Sequence, residues 1–247
     1  MKRKQITKAL ILVAVSISLF SACQKKYFFD SGTHNGVYNG SILAYLKSKP
    51  AYFDTLTRVI ELAEMNDVFD KENITFFAPT SSTIYKSVKV LNRYLRTNGR
   101  DTVARLEQIK PQAWRELLSL YVFKGTNKLK DYPQIDTLNM LAFPGQGYTS
   151  RNGRTMNIGV LYNDAPAVKY AGYRQLYLAY IPSFVDPQKD LIYIPVASSD
   201  IEPSNGIVHV LAQNRASGTF LVNKHNFGFT DDVFITTVQS YGILPAK

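Results

Sequence analysis

The chain has 247 residues, of which 45% are apolar and 13% aromatic, and it carries a formal net charge of +10. This composition is enough for one sizeable hydrophobic core, and we predict a single domain. Four basic residues precede the only cysteine, Cys23, so the rest of the chain carries +6. A lone cysteine excludes an internal disulfide, and the remaining basic residues are scattered, so we expect a solvated basic face and no nucleic-acid partner.

The N-terminus has the pattern of an export signal. Basic residues precede an apolar run at residues 9–20, and two small residues lead into Cys23. Twelve helical residues span about 18 Å, whereas a membrane span needs roughly 20 residues. We therefore predict a signal peptide at residues 1–22 that resembles the bacterial lipoprotein type, with a lipid on Cys23. The alternative is an ordinary signal peptide followed by an unrelated cysteine.

A lipid on Cys23 makes a membrane the first expected partner. Residues 23–36 are polar and contain glycine, so we interpret them as a lipidated tether that holds residues 37–247 near the bilayer. The expected location is the outer membrane with the domain on the cell surface. A domain facing the periplasm stays open as an alternative.

The elements predicted after the tether are first helical and then extended. Residues 41–46 form a short amphipathic turn set, and Pro50 can start a helix whose apolar positions recur at helical spacing: Phe53, Leu56, Val59, Ile60 and Ala63.

A short strand at residues 74–78 ends at Pro79, and the hydroxyls of residues 80–82 can cap the helix that follows. Another helix is predicted at residues 113–121. Turn-separated β-rich runs follow at residues 155–158, 176–181, 191–194 and 207–211, and this order predicts an α+β architecture.

Two motifs resemble those of the fasciclin domain family. Residues 74–80 read I-T-F-F-A-P-T, similar to the family's T-x-F-A-P-T, and residues 205–211 read N-G-I-V-H-V-L, similar to its N-G-x-V-H-V-I. Between them, residues 117–125 resemble the L-L-x-Y-H-V-x-x-G segment, with Leu120 and Tyr121 where a Tyr-His pair is common. The resemblance implies one fasciclin-like domain in which N-terminal helices pack on a sandwich or wedge of short strands, with insertions around residues 140–200.

The motif residues are interpreted as structural: Phe77, Ala78, Pro79, Thr80, Asn205, Gly206 and His209. The Asn-Gly pair predicts a turn, and the alternating residues after it predict a largely buried strand. The resemblance implies that His209 ties this strand to the turn at residues 78–80.

Signatures of catalysis are missing from the sequence. There is no H-x-x-x-H, C-x-x-C or H-E-x-x-H pattern for a metal, no G-x-S-x-G nucleophile motif and no phosphate-binding loop. Neighbouring carboxylates such as Asp200 and Glu202 are interpreted as solvated pairs, because glycoside hydrolysis needs two carboxylates across a cleft. We expect no enzyme activity, no cofactor and no metal.

The tyrosines are the candidate ligand-binding residues: Tyr148, Tyr170, Tyr173 and Tyr177. Exposed tyrosine rings stack on sugars and anchor protein interfaces. In a strand at residues 176–181, however, both faces carry apolar side chains, and core packing is the alternative interpretation. A loop at residues 145–154 can present a second aromatic and basic patch, or it is a plain hairpin turn.

Two functions follow as hypotheses. The first is a non-enzymatic, lipid-anchored cell-envelope protein of fasciclin type that mediates adhesion by contacting an extracellular or envelope protein or glycan, as the resemblance implies. The second is a glycan-binding accessory lipoprotein of an outer-membrane polysaccharide-uptake system that uses the tyrosine-rich insertion.

Overall fold

The computed structural model describes residues 36–212 and 226–245. The predicted signal peptide, Cys23 and all of the predicted tether before Gly36 lie outside the described residues. No helix among the described residues is long and apolar enough to cross a membrane.

Three helices open the described chain: α1 at Ile42–Lys47, α2 at Pro50–Leu62 and α3 at Asn66–Lys71. Ser41 caps α1 by accepting a hydrogen bond from the Ala44 amide at 3.1 Å. Pro50 begins α2 because its fixed φ suits the first helical position. The five apolar residues predicted to face the core from this helix region are all buried.

Strand β1, Ile74–Ala78, is buried along its whole length and leads into helix α4, Ser81–Thr97. Thr80 occupies the N-cap position as predicted, but the predicted capping bond from its hydroxyl is wrong. The Thr80 hydroxyl lies 2.9 Å from the Ser82 hydroxyl and 3.2 Å from that of Thr83. The side chains around this turn therefore bond to one another instead of to the free amides of α4.

Helix α5, Pro111–Ser119, follows a short 3-10 turn at Leu106–Gln108. It starts at Pro111, two residues before the predicted start, and buries Trp114, Leu117 and Leu118. A further helix that the sequence analysis missed, α6 at Asp231–Tyr241, begins at a cap in which the Thr230 hydroxyl accepts from the Val233 amide at 3.0 Å.

The remaining elements form one sheet with β1. Its strands are β2 Val122–Lys124, β3 Gln134–Ile135, β4 Gln146–Thr149, β5 Thr155–Tyr162, β6 Arg174–Tyr180, β7 Ile192–Ile201 and β8 Gly206–Leu211. Their order is β2-β1-β8-β7-β6-β5-β3, and β4 also pairs with β5. β1 and β8 are parallel, so the two family-like motifs lie side by side although 132 residues separate Ile74 from its partner Gly206.

The sheet curls along β7. Residues 192–195 pair with β6, whereas residues 196–201 pair with β8 through two register shifts. Because bulges increase the local bend and twist of a strand, the two parts of β7 run in different directions, one paired with β6 and the other with β8. The predicted α+β class is confirmed, and the predicted sandwich or wedge of strands is a single curled sheet.

An aromatic stack fixes residues 226–229 and hence α6. The Tyr121 ring lies nearly parallel to those of Phe227 and Phe229, with centroids 5.5 and 4.8 Å away. The Tyr121 hydroxyl accepts a hydrogen bond from the Gly228 amide at 2.9 Å. Burial raises the pKa of this phenol well above its usual value, so it stays neutral at any physiological pH.

Candidate functional site

Asn205 joins three parts of the fold at the start of β8. Its side-chain oxygen accepts from the Ile42 amide at 2.8 Å, and its amide nitrogen donates to the carbonyls of Phe69 and Glu72 at 3.2 and 3.1 Å. Gly206 follows it because a Cβ there would overlap the Ile74 carbonyl oxygen of β1. This motif therefore holds helices α1 and α3 to the central strands, which is a structural role.

His209 is completely buried in β8. Its Nε2 lies 3.0 Å from the Asn127 carbonyl, and its Nδ1 lies 3.3 Å from the Asp200 amide. The ring must then donate from Nε2 and accept at Nδ1, which is the neutral form. Burial is the main cause that lowers the pKa of His209, to about 4, and the bond to Asn127 and the Asp200 charge oppose it.

The predicted tie between His209 and the turn at residues 78–80 is wrong. The imidazole contacts the Phe77 ring across the β1–β8 pair, with centroids 4.9 Å apart, but its hydrogen bonds go to Asn127 and Asp200. It therefore fastens the loop after β2 to the bend in β7. A neutral imidazole sealed from solvent is poorly placed to exchange protons with a substrate.

Tyr148 belongs to the packing around this histidine. Its ring meets Tyr132 edge-on at 5.3 Å, and Tyr132 in turn meets His209 at 6.1 Å. Burial raises the pKa of both tyrosines. Tyr148 is half-buried in β4, so one side of its ring is already occupied by protein.

Tyr177 is buried as well, with 8% of its surface exposed. It points to the face of β6 opposite the main core, where it packs edge-on against Tyr193 at 6.0 Å. The segment between β3 and β4 covers this face: the Asn157 side chain of β5 donates to the Pro144 carbonyl at 2.9 Å, and Gly159 lies against Ile135. Core packing is therefore the correct interpretation for Tyr177.

Tyr170 joins two loops. Its hydroxyl donates to the Asp136 carboxylate at 2.9 Å, and its ring meets Phe143 edge-on at 5.4 Å. The hydrogen bond to Asp136 is the main cause that raises the pKa of Tyr170. Residues 136–143, which follow β3, are thus held to residues 163–173, which connect β5 and β6.

These joined loops carry four exposed large apolar or aromatic side chains, which we call the insertion surface: Leu138 and Leu141, each 96% exposed, Tyr173 at 68% and Val168 at 55%. Of the four candidate tyrosines, only Tyr173 is mostly exposed, so the structure does not bring them together as one platform. The sequence analysis missed both leucines. The sequence feature that could have identified them is the presence of apolar residues in a segment without helical or strand periodicity.

The predicted patch at residues 145–154 is a hairpin turn between β4 and β5. Arg151 makes a bidentate pair with Glu72, at 2.7 and 3.0 Å. Arg154 lies between the rings of Tyr180 and Phe184, 4.2 and 5.1 Å from their centroids. Both arginines are engaged within the protein, and neither is left as a free basic group.

The described residues form contact surfaces, and none of their side chains group as a recognised catalytic constellation. Among the described residues, no group of three or more His, Cys, Asp or Glu side chains is placed to hold a metal ion. Several clefts are lined by ion pairs; one, of about 510 Å³, holds the Arg115 pair with Glu64, 2.6 Å apart. Such paired charges are most simply structural.

Comparisons with known proteins give one family. The model of the fasciclin domain matches residues 51–213 of the chain. Among solved structures, a FAS1 domain pair from the insect cell adhesion molecule Fasciclin I is similar, with 15% sequence identity and a TM-score of 0.44 over 70% of this chain and 49% of that one. This chain thus matches about half the length of the insect protein chain. No curated protein matches it.

Proposed function

The chain belongs to the fasciclin domain family, whose domains are typically non-enzymatic adhesion modules, and on this premise we propose that it is a lipid-anchored adhesion protein of the cell envelope that binds a partner protein through the insertion surface. The exposure of Leu138 and Leu141 is the observation that carries the proposal, because both leucines have 96% of their surface in water. Exposed apolar side chains grouped on ordered loops are typical of protein contact sites.

The joined loops support this role because they are held in place before a partner arrives. The bond between Tyr170 and Asp136 and the contact with Phe143 fix two loops that would otherwise be independent. A pre-ordered surface loses less conformational entropy on binding. Aliphatic side chains also favour a protein partner over a sugar, since sugars stack on aromatic rings.

The anchor is the part of the proposal that rests on sequence alone. A lipid on Cys23 and the tether at residues 23–36 would keep the domain within reach of a membrane. Outer-membrane attachment on the cell surface is the proposed location, where adhesion makes sense.

Protease treatment of intact cells that express the full chain tests the location. Wild-type protein should be digested while a periplasmic marker stays protected, and Cys23→Ala should no longer fractionate with membranes. Protection of the wild-type protein until the outer membrane is opened would remove the surface location and direct the search to periplasmic partners.

Aggregation of cells that display the protein tests the surface. The double variant Leu138→Glu/Leu141→Glu should reduce aggregation while the melting temperature stays unchanged, because these side chains contribute little to the core. Val185→Glu is the matched control, since Val185 is 97% exposed and lies in another loop, between β6 and β7. Unchanged aggregation in the double variant, or an equal loss in the control, would contradict the proposed surface.

The second candidate function is glycan binding as an accessory lipoprotein of polysaccharide uptake. The observation in its favour is the exposed ring of Tyr173, which is 68% accessible and lies in the same loop as the exposed basic residue Lys169, four positions earlier in the chain. Tyr173→Ala should then abolish binding of soluble starch or mixed-linkage β-glucan without a change in melting temperature. Equal binding by the variant, or no binding by the wild type, removes this alternative for the polysaccharides tested.

A further inference from the structure

Helix α4 collects basic residues that look scattered in the sequence. Lys86, Lys89, Arg93 and Arg96 follow one another at intervals of three, four and three residues, and all four are exposed. At 1.5 Å per residue they form a row about 15 Å long on one side of the helix. The opposite side carries the buried residues Ile84, Ser87, Leu91 and Leu95, so the row points away from the core.

The row is not neutralised by the protein itself. α4 contains no Asp or Glu, and none of its four cations forms an ion pair with a described residue. Elsewhere in the described residues, five basic residues do form ion pairs with carboxylates: Arg58, Lys71, Arg115, Lys128 and Arg151. Like charges three or four residues apart destabilise a helix. The row therefore opposes helix stability instead of supporting it.

The helix dipole explains the presence of a basic residue at only one end of the row. A cation near the C-terminus interacts favourably with the helix dipole, which explains Arg96 in the last turn. Lys86 lies in the first half of α4 and Lys89 at its middle, where the dipole gives them no such benefit. Beside them, Tyr85 is 61% exposed, and the Lys89 ammonium lies 5.0 Å from its ring centroid.

We propose that this face of α4 binds an acidic polysaccharide, a linear chain whose sugar units carry carboxylates. A single row of cations at intervals near the length of a sugar unit complements a linear polyanion, and Tyr85 supplies a ring on which a sugar can stack. The inference concerns a different surface from the insertion surface and does not depend on the proposed adhesion function.

A lipid bilayer fits the same face less well. Helices that bind membranes in the interfacial plane insert an apolar side among the acyl chains. The apolar side of α4 is already buried in the core, at Leu91 and Leu95 among others. What remains exposed is polar and charged apart from the rings of Tyr85 and Tyr94, which suits a soluble polyanion.

Binding to oligogalacturonate tests the proposal. The full chain carrying Cys23→Ala should bind immobilised oligogalacturonate, and the fully methyl-esterified form, which has the same backbone without charge, should not bind. Affinity should fall steeply between about 0.05 M and about 0.2 M salt, since the Debye length that screens these exposed charges shortens from roughly 14 Å to roughly 7 Å over this range.

Two variants with equal net charge separate this site from general basicity. Replacing the four cations of the row by Gln should weaken binding by about tenfold or more. The matched control replaces four exposed lysines elsewhere by Gln and should keep its affinity: Lys47, Lys124, Lys130 and Lys189. Melting temperatures of both variants should match that of the parent.

Several outcomes would overturn the proposal. An equal loss in the matched control would indicate binding by net charge alone, and equal binding of the esterified polymer would indicate recognition without charge. Capture by phosphatidylglycerol vesicles through the same residues, without galacturonate binding, would assign the face to a membrane, and tighter binding of single-stranded DNA would assign it to nucleic acid. No binding of any probe would leave a solvated basic face.

Discussion

Phe77 and His209 face each other across the parallel pair of β1 and β8, with their ring centroids 4.9 Å apart. The two residues come from the two family-like motifs, which are 132 residues apart at Phe77 and His209. Their contact, together with the hydrogen bonds of His209 to Asn127 and Asp200, places a neutral imidazole where the central strands, the loop after β2 and the bend of β7 meet.

His209 should make the fold sensitive to acid. Its pKa is lowered to about 4 in the folded protein, against about 6.5 in the unfolded chain, so the unfolded state binds the extra proton first. The contribution of neutral His209 to the free energy of unfolding is complete above pH 6.5. It is lost as the pH falls from 6.5 to about 4, by about 3 kcal/mol in total.

Urea unfolding of the parent and of His209→Gln at a series of pH values measures this effect. The variant should be less stable at pH 7 and should show a flatter dependence between pH 6.5 and pH 5. Since carboxylates also titrate near the lower end, the difference between the two proteins is the quantity to compare. Parallel pH curves would contradict the assignment.

Asn205→Ala should destabilise the protein strongly. The substitution removes three side-chain hydrogen bonds and leaves the Ile42 amide and the carbonyls of Phe69 and Glu72 without this partner. Unsatisfied buried groups cost about 1–3 kcal/mol each, so we expect a loss of about 3 kcal/mol or more in the free energy of unfolding. Asn98→Ala, at an exposed position, is the control and should change stability by less than about 1 kcal/mol.

Tyr121→Phe tests how α6 is attached. The variant keeps the ring between Phe227 and Phe229 but removes the hydroxyl that accepts from the Gly228 amide. We expect a loss of about 1–3 kcal/mol in the free energy of unfolding, because the Gly228 amide stays buried without that acceptor. Tyr85→Phe on the exposed side of α4 should have almost no effect, and an equal effect of both variants would contradict this role of the hydroxyl.

Tyr177→Ala and Tyr173→Ala should differ in their effect on the free energy of unfolding, because one ring is buried and the other is exposed in the same part of the chain. Tyr177 is 8% exposed and packs against Tyr193, so its truncation should cost about 3 kcal/mol. Tyr173 is 68% exposed, and its truncation should stay within about 0.5 kcal/mol of the parent. Thermal unfolding of the two variants gives the comparison, and a similar loss for both would refute the difference in packing.

The elements that sequence predicted best are those whose signals are local. The strand at Ile74–Ala78 ends at a proline, and α2 starts at Pro50 and repeats apolar residues at helical spacing. The neighbour of β1 could be inferred only from the family resemblance, because the pairing with β8 joins residues more than 130 positions apart. The bend of β7 depends on tertiary contacts that no short segment specifies, whereas the cap of α6 at Thr230 is a local signal that the sequence analysis missed.

The site residues divide in the same way. A two-residue turn signal predicted a structural role for Asn205 and Gly206, and both residues contact other parts of the fold. The partners of His209 could not be predicted, since Asn127 lies in a loop whose position depends on the whole sheet. Tyr177 is buried because residues 136–145 fold back over the outer face of β5 and β6. The sequence of these residues lacks helical or strand periodicity, so it could not predict that they cover this face.

The parallel pair of β1 and β8 also bears on how the chain acquires its fold. Residues 74–78 are made early, yet one of their two neighbours, residues 206–211, is made about 130 residues later. Until then a run of Ile, Thr, Phe, Phe and Ala has an open edge, and such runs favour self-association. Slow folding is expected from such distant pairing. A nascent chain that stops before Gly206 would thus expose an aggregation-prone segment, and protection of that segment during synthesis becomes a requirement of this topology.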